Sequence, residues 1–182
     1  RDLEDRVLRV TDSITFPEDP LRPLRAVQFL SRFDLTPDET LTSLTKSMVS
    51  RGELQELAGE RVFDEFSKLL LKGKIPSKGL HFMKESGLLE LFPEMGAMVD
   101  CEQEPEWHPE GDVWVHTLMV LDVATTFRTG DPEEDLTLML GALCHDFGKP
   151  ATTEKIDGRW RSLDHESAGE DPTRIFLNRF KG

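Results

Sequence analysis

His145 and Asp146 stand side by side in the run Leu143-Cys-His-Asp-Phe-Gly-Lys149, with His116 upstream and His165 downstream. Neighbours on a helix point about 100° apart, so an imidazole and a carboxylate in sequence can both lean toward one ion. Imidazole plus carboxylate suits Mn, Fe, Co, Ni or Zn better than Ca or Mg. Such a centre activates water and polarises a phosphoryl oxygen. His116, His145 and Asp146 are the candidate metal ligands, with Asp146 also catalytic. Lys149 is placed to steady a phosphate, and His165 is a phosphate-binding or supporting group. The bland alternative is a satisfied core histidine, a capping Asp146 and a Lys149 that matches a helix C-terminus. A buried aspartate, however, is costly unless paired or metal-bound.

A second constellation is Glu18-Asp19-Pro20-Leu21-Arg22, followed by Arg25. Three residues apart on a helix, Asp19 and Arg22 share a face. Adenine and cytosine both offer an amino donor beside a ring-nitrogen acceptor, so a carboxylate and a guanidinium together accept either base. Guanine and uracil present the reverse order. The plain alternative is a capping Asp19 in an i,i+3 ion pair.

The elements that must position these groups are helical. Leu3, Val7 and Val10 predict a short helix over 2–10. Asp19 as N-cap and Pro20 at the first turn predict a helix to about Phe33. Further helices are expected from Pro37, from Gly59 to Gly73, and from Pro76 to Gly87. Residues 94–111 hold Gly96, Pro105, Pro109 and Gly111 and break the pattern, which places a boundary there. Two apolar helices follow, over 112–126 and 133–146. His116 is expected midway along the first, and the second, apolar nearly all round, is expected to be buried. Asp157-Gly158 between two short polar-apolar runs predicts a hairpin. The fold class is all-α: two helical domains, 1–97 and 98–182, the second with one small hairpin.

The chain has 182 residues and a net charge of −13, from 22 basic and 35 acidic residues. That composition fits a globular chain and argues against a broad polyanion-binding face. Residues 1–33 carry six Arg and six acids, so any nucleic-acid contact is expected there rather than in the acidic remainder. Two cysteines, Cys101 and Cys144, exclude a disulfide scaffold and fit a reducing, cytoplasmic setting. No apolar run is long enough for a membrane span.

Residues Trp107-His-Pro-Glu-Gly-Asp-Val-Trp-Val-His116, His145-Asp-Phe-Gly-Lys-Pro150 and Asp164-His-Glu-Ser-Ala-Gly169 resemble the HD domain attached to bacterial tRNA CCA-adding nucleotidyltransferases. The segments Phe16-Pro-Glu-Asp-Pro-Leu-Arg22 and Gly59-Glu-Arg-Val62 resemble the neck and body helices of the same family, which includes the poly(A) polymerases. The resemblance implies a divalent metal (Mn, Ni, Co, Fe or Mg) on His116, His145 and Asp146, and hydrolysis of 2′,3′-cyclic phosphates or phosphomonoesters. It implies base selection by Glu18, Asp19 and Arg22, with ATP, CTP and a tRNA or RNA 3′ end as partners. The family's fourth ligand, a later Asp, is expected beyond Gly182, since neither Asp164 nor Asp171 is well spaced for it. The family's polymerising head, with its Gly-Ser motif and paired aspartates, has no counterpart here, so CCA addition by these residues alone is not expected. Two other readings stay open: a non-catalytic nucleotide- and RNA-binding module on an HD scaffold, and a free-standing HD nucleotide phosphohydrolase.

Overall fold

The computed structural model describes residues 2–181. It is all-α, as its fold class predicts, with the expected hairpin and one further two-stranded sheet. Among the described residues no helix is long and apolar enough to cross a membrane. Two compact units form, one running to Leu91 and taking in Phe180, the other Phe92–Arg179.

In the first unit the expected helix over 2–10 is replaced by turns and a strand, β1 (Val7–Leu8), paired in parallel with β2 (Thr36–Pro37). Arg6 adopts a left-handed φ of 53°, which ends any helix there and turns Val7 into the pairing. Helix α1 (Arg22–Phe33) starts later than Asp19-Pro20 suggests. Pro23 explains the shift. In a helix begun at Pro20, Pro23 would occupy the position that donates the first intrahelical bond, and it has no N–H. Begun at Arg22, that missing donor is one of the first-turn groups that has no partner anyway.

Helices α2 (Glu39–Ser50), α3 (Gly59–Lys72) and α4 (Pro76–Ser86) complete this unit. Asp38 caps α2 through the amide of Leu41. Leu24, Val27 and Leu30 of α1 bury with Leu69 and Leu70 of α3 and Leu80 and Met83 of α4. The α1–α4 approach depends on Gly79, where an added Cβ would meet Ser31 Oγ and Val27 O at 2.4 Å.

The second unit holds α5 (Pro93–Gly96), α6 (Val113–Ala124), α7 (Pro132–Cys144), α8 (Lys149–Thr152), the hairpin β3 (Thr153–Ile156)–β4 (Arg159–Ser162), α9 (His165–Ala168) and α10 (Glu170–Asn178). The hairpin falls where Asp157-Gly158 predicts it. Both turn residues have positive φ, 50° and 81°, which suits a two-residue turn of the right twist. Phe176 stacks against Phe92 and Phe147 and anchors α10 in the core. Helix α7 is not buried all round: Asp135, Met139 and Leu143 face inward, while Leu138 is exposed. Its first turn, Glu133-Glu134-Asp135, keeps one side in water. Asp135 itself is buried because its carboxylate accepts from the amides of Thr129 and Gly130 and fixes the α6–α7 turn.

Candidate metal centre

Four elements of the second unit bring the site together. Asp112 caps α6 through the amide of Val115, so α6 begins at Val113 and His116 lies one turn in, not midway. Asp131 caps α7 through Glu133 and Glu134. That helix ends at Cys144, leaving His145 at its C-cap and Asp146 just beyond. Lys149 opens α8 and His165 opens α9. The α8 start lies so close to α9 that a Cβ on Gly148 would meet the His165 carbonyl oxygen at 1.9 Å.

Asp146 is the hub and is 1% exposed. Its Oδ2 lies 2.8 Å from Lys149 Nζ, 3.1 Å from His145 Nε2 and 3.9 Å from His116 Nε2. Its Oδ1 lies 3.5 Å from His165 Nε2. No approach at Oδ2 has hydrogen-bond geometry, so this buried oxygen is held by the Lys149 ion pair and keeps lone pairs without a donor. The three imidazoles share one arrangement. Each Nδ1 faces an oxygen: Glu110 Oε1 for His116 at 2.7 Å, the Ala142 carbonyl for His145 at 2.9 Å, the Ser162 carbonyl for His165 at 2.8 Å. A carbonyl only accepts, so in His145 and His165 the proton sits on Nδ1 and a neutral ring turns a bare Nε2 lone pair toward Asp146. Lone pairs and a carboxylate repel unless a proton or a metal ion lies between them.

The titration follows from this crowding. Burial pushes the Asp146 carboxyl up, but His145 and Lys149 outweigh it and hold it at about 2. Burial depresses the His145 imidazole, and the Asp146 carboxylate more than reverses this and raises it. Burial pushes the Cys144 thiol up to about 12, which removes it as a nucleophile.

The structure brings His116, His145 and Asp146 together, one potential ligand atom of each lying within 4.8 Å of the others. Among the described residues Asp164 and Asp171 join no metal-capable group. Asp164 precedes α9 without capping it, and Asp171 pairs with Arg174. Sequence reasoning missed two contributors. Gln103, 6% exposed, accepts from Lys149 Nζ at 2.8 Å and donates to the Gly111 carbonyl at 3.2 Å. Glu110 accepts at His116 and also at His108 Nδ1, 3.0 Å away. Both lie in the loop that sequence patterning treats only as a boundary.

In the first unit, Asp19 and Arg22 do not pair. Arg22 donates to the Thr15 carbonyl. Asp19 accepts from the Leu21 amide and lies 3.3 Å from Arg25 and 3.6 Å from Arg61. Arg25 also reaches the buried Glu65 at 3.6 Å. Glu18 is exposed at the end of a short 3-10 turn, Phe16–Glu18. Asp19 precedes the helix, so the shared helix face expected for Asp19 and Arg22 does not form. Arg22 and Arg25 line a cavity of about 240 Å³ with Arg9, Phe16 and Phe29.

Residues 34–98 match a family described as "Probable RNA and SrmB- binding site of polymerase A", and residues 113–181 match the HD domain. The multifunctional CCA protein of Pasteurella multocida is 36% identical over 187 residues, covering 99% of this chain and 43% of that protein. The same-named proteins of Neisseria meningitidis serogroup A and Methylococcus capsulatus are 38% and 40% identical, covering all of this chain and 42% and 41% of theirs. The chain thus spans less than half the length of the curated relatives it matches. A solved CCA-adding enzyme in apo form aligns over the whole chain and 52% of its own, with a TM-score of 0.48 and 22% identity.

Proposed function

The chain belongs to the family of tRNA CCA-adding nucleotidyltransferases and poly(A) polymerases, and on that premise we propose that its second unit is a metal-dependent phosphohydrolase serving RNA 3′ ends. The substrates are phosphoesters of that chemistry, 2′,3′-cyclic phosphates or terminal phosphomonoesters. The carrying observation is the buried Oδ2 of Asp146, without a hydrogen-bond partner, with the Nε2 atoms of His145 and His116 turned toward it.

Two imidazole nitrogens and one carboxylate oxygen fit a divalent first-row metal, and His116, His145 and Asp146 would hold it. A metal so held supplies Lewis acidity toward a phosphoryl oxygen and acidifies water. The remaining work belongs to side chains. Lys149 Nζ, fixed by Gln103, presents an ammonium to a phosphate oxygen. His165, anchored through Nδ1, keeps Nε2 free to accept or return a proton at the reacting group.

In the first unit, Asp19 and Arg22 select adenine or cytosine, and the surrounding helices bind the tRNA or RNA end. The cavity that Arg22 lines supports this reading. Base selection requires Arg22 to leave the Thr15 carbonyl. ATP and CTP are then its nucleotide partners, in a cytoplasmic setting. Arg22→Ala should weaken ATP and CTP binding, and equal binding of all four nucleoside triphosphates would overturn base selection.

The deciding measurement is hydrolysis of 2′,3′-cyclic AMP across Mn, Ni, Co, Fe and Mg, with Asp146→Ala alongside. Metal-dependent turnover that the variant loses supports the phosphohydrolase. No turnover with any of these metals overturns it and leaves a nucleotide- and RNA-binding module on an HD scaffold.

A further inference from the structure

Beside the three proposed ligands, a second polar group forms in the loop that leads into α6, and it shares His116 with them. His108, Glu110 and His116 come together there, with one carboxylate oxygen between two imidazoles. Glu110 Oε1 is 2.7 Å from His116 Nδ1 and 3.0 Å from His108 Nδ1. The two rings stand nearly perpendicular, at 81°, with centroids 4.8 Å apart. Two N–H groups can therefore reach one oxygen from different directions, and a carboxylate oxygen has the lone pairs to accept both.

The backbone holds this carboxylate in place. Gly111 has a φ of +130°, a conformation open to glycine, and its carbonyl accepts from the buried Gln103. Asp112 accepts from the Asp100 amide and caps α6. The chain is thus pinned immediately after Glu110, and His116 follows in the first turn of α6.

We infer that Glu110 is the positioning residue of His116: by accepting a hydrogen bond from Nδ1–H it fixes the ring's tautomer and turns the bare Nε2 toward Asp146. His145 and His165 receive the same service from backbone carbonyls, Ala142 and Ser162. His116 lies within a helix, where the nearby carbonyls are committed to the helical ladder, so a side chain must do the work. A second metal ion between His108 and Glu110 is the competing account. Direct hydrogen-bond distances at Oε1 favour protons there instead. The inference deepens the metal-site reading, and its first arm is independent of any metal.

The test uses the full chain labelled with ¹⁵N in histidine, metal-free, above the imidazole titration range. Two-bond ¹H–¹⁵N correlations report each tautomer. Wild-type His116 is expected as the Nδ1–H form. Glu110→Ala should convert it largely to the Nε2–H form that free imidazole prefers, while Glu110→Gln, which retains an acceptor oxygen, should preserve Nδ1–H. The exposed His81 in α4 should not change in either variant. A wild-type His116 in the Nε2–H form, or one unmoved by Glu110→Ala, overturns the inference without any need for a stable variant. In the second arm, Ni²⁺ titration by calorimetry should show affinity falling about 10–100-fold in Glu110→Ala, the range for lost outer-shell partners, and largely restored in Glu110→Gln. A stoichiometry that falls from two ions to one in Glu110→Ala would make Glu110 a ligand and overturn positioning. Failure of the wild type to bind Ni²⁺ would overturn the metal site, with the tautomer arm still deciding the role of Glu110.

Discussion

Gly148 offers the sharpest stability test. An alanine methyl there would meet the His165 carbonyl oxygen at 1.9 Å and the Gly169 amide nitrogen at 2.6 Å, where real Cβ contacts essentially never fall under 3.0 Å. Both atoms are backbone, so no rotamer change relieves the overlap, and α8 must part from α9 by about 1 Å. Overpacking of this kind costs about 1–3 kcal/mol. For a chain of this length that corresponds to a Tm lowered by about 2–12 °C. The same displacement separates Lys149 from His165, which those two helices carry. A misplacement of about 1 Å costs on the order of 100-fold in rate. The assay is thermal unfolding by far-UV circular dichroism, with 2′,3′-cyclic AMP turnover measured in parallel. Gly141→Ala is the control: nothing lies within 4 Å of its Cβ position in α7, so it should stabilise by about 0.5–1 kcal/mol. Gly79→Ala should destabilise the first unit and leave turnover unchanged. A Gly148→Ala chain that melts at or above the wild type would refute this account of the α8–α9 contact.

Two further outcomes are expected. The Asp146 carboxyl sits at about 2 against an ordinary 3.8, which corresponds to about 2 kcal/mol in the metal-free chain. Because the folded value is depressed, that stability is present above about pH 4 and lost as pH falls toward 2. Acid unfolding should therefore be shallower in Asp146→Asn than in the wild type, and parallel curves would contradict the pairing. His145 has the opposite sign: raised in the fold, its contribution is present below 6.5 and lost as pH rises through its folded value. Gln103→Leu removes the buried acceptor of Lys149 and should cost about 1–3 kcal/mol in urea unfolding. An unchanged midpoint would show that Lys149 does not depend on Gln103.

The His-Asp pair was legible because its residue types have few uses at the end of an apolar helix, and His116 because one short turn returns α7 to α6. The hairpin was legible because Asp157-Gly158 suits a turn with positive φ at both positions. Glu110 and Gln103 were not. A glutamate in an acidic loop looks like solvated surface, and nothing in sequence links Gln103 to Lys149. Their roles exist only once Gly111 turns the loop back on the site. The start of α1 was misjudged because Asp19-Pro20 and Arg22-Pro23 compete as initiators, and only the later proline decides. The strand at Val7 was missed because helical spacing of three apolar residues says nothing of a left-handed Arg6. Helix α7 was expected to be buried because apolar composition was counted without the acidic first turn that holds one face in water.

The ammonium of Lys149 lies 2.8 Å from the buried carboxylate of Asp146. That carboxylate is therefore already matched by a resident cation when the chain folds. Many small metal-holding domains are unfolded without their ion because binding it supplies their folding free energy. Here the unit carries its own monovalent substitute, beside a buried core of Trp114, Leu121, Met139, Leu143 and Phe176. Folding and loading become separable events. A chelator should take the activity and leave the architecture standing.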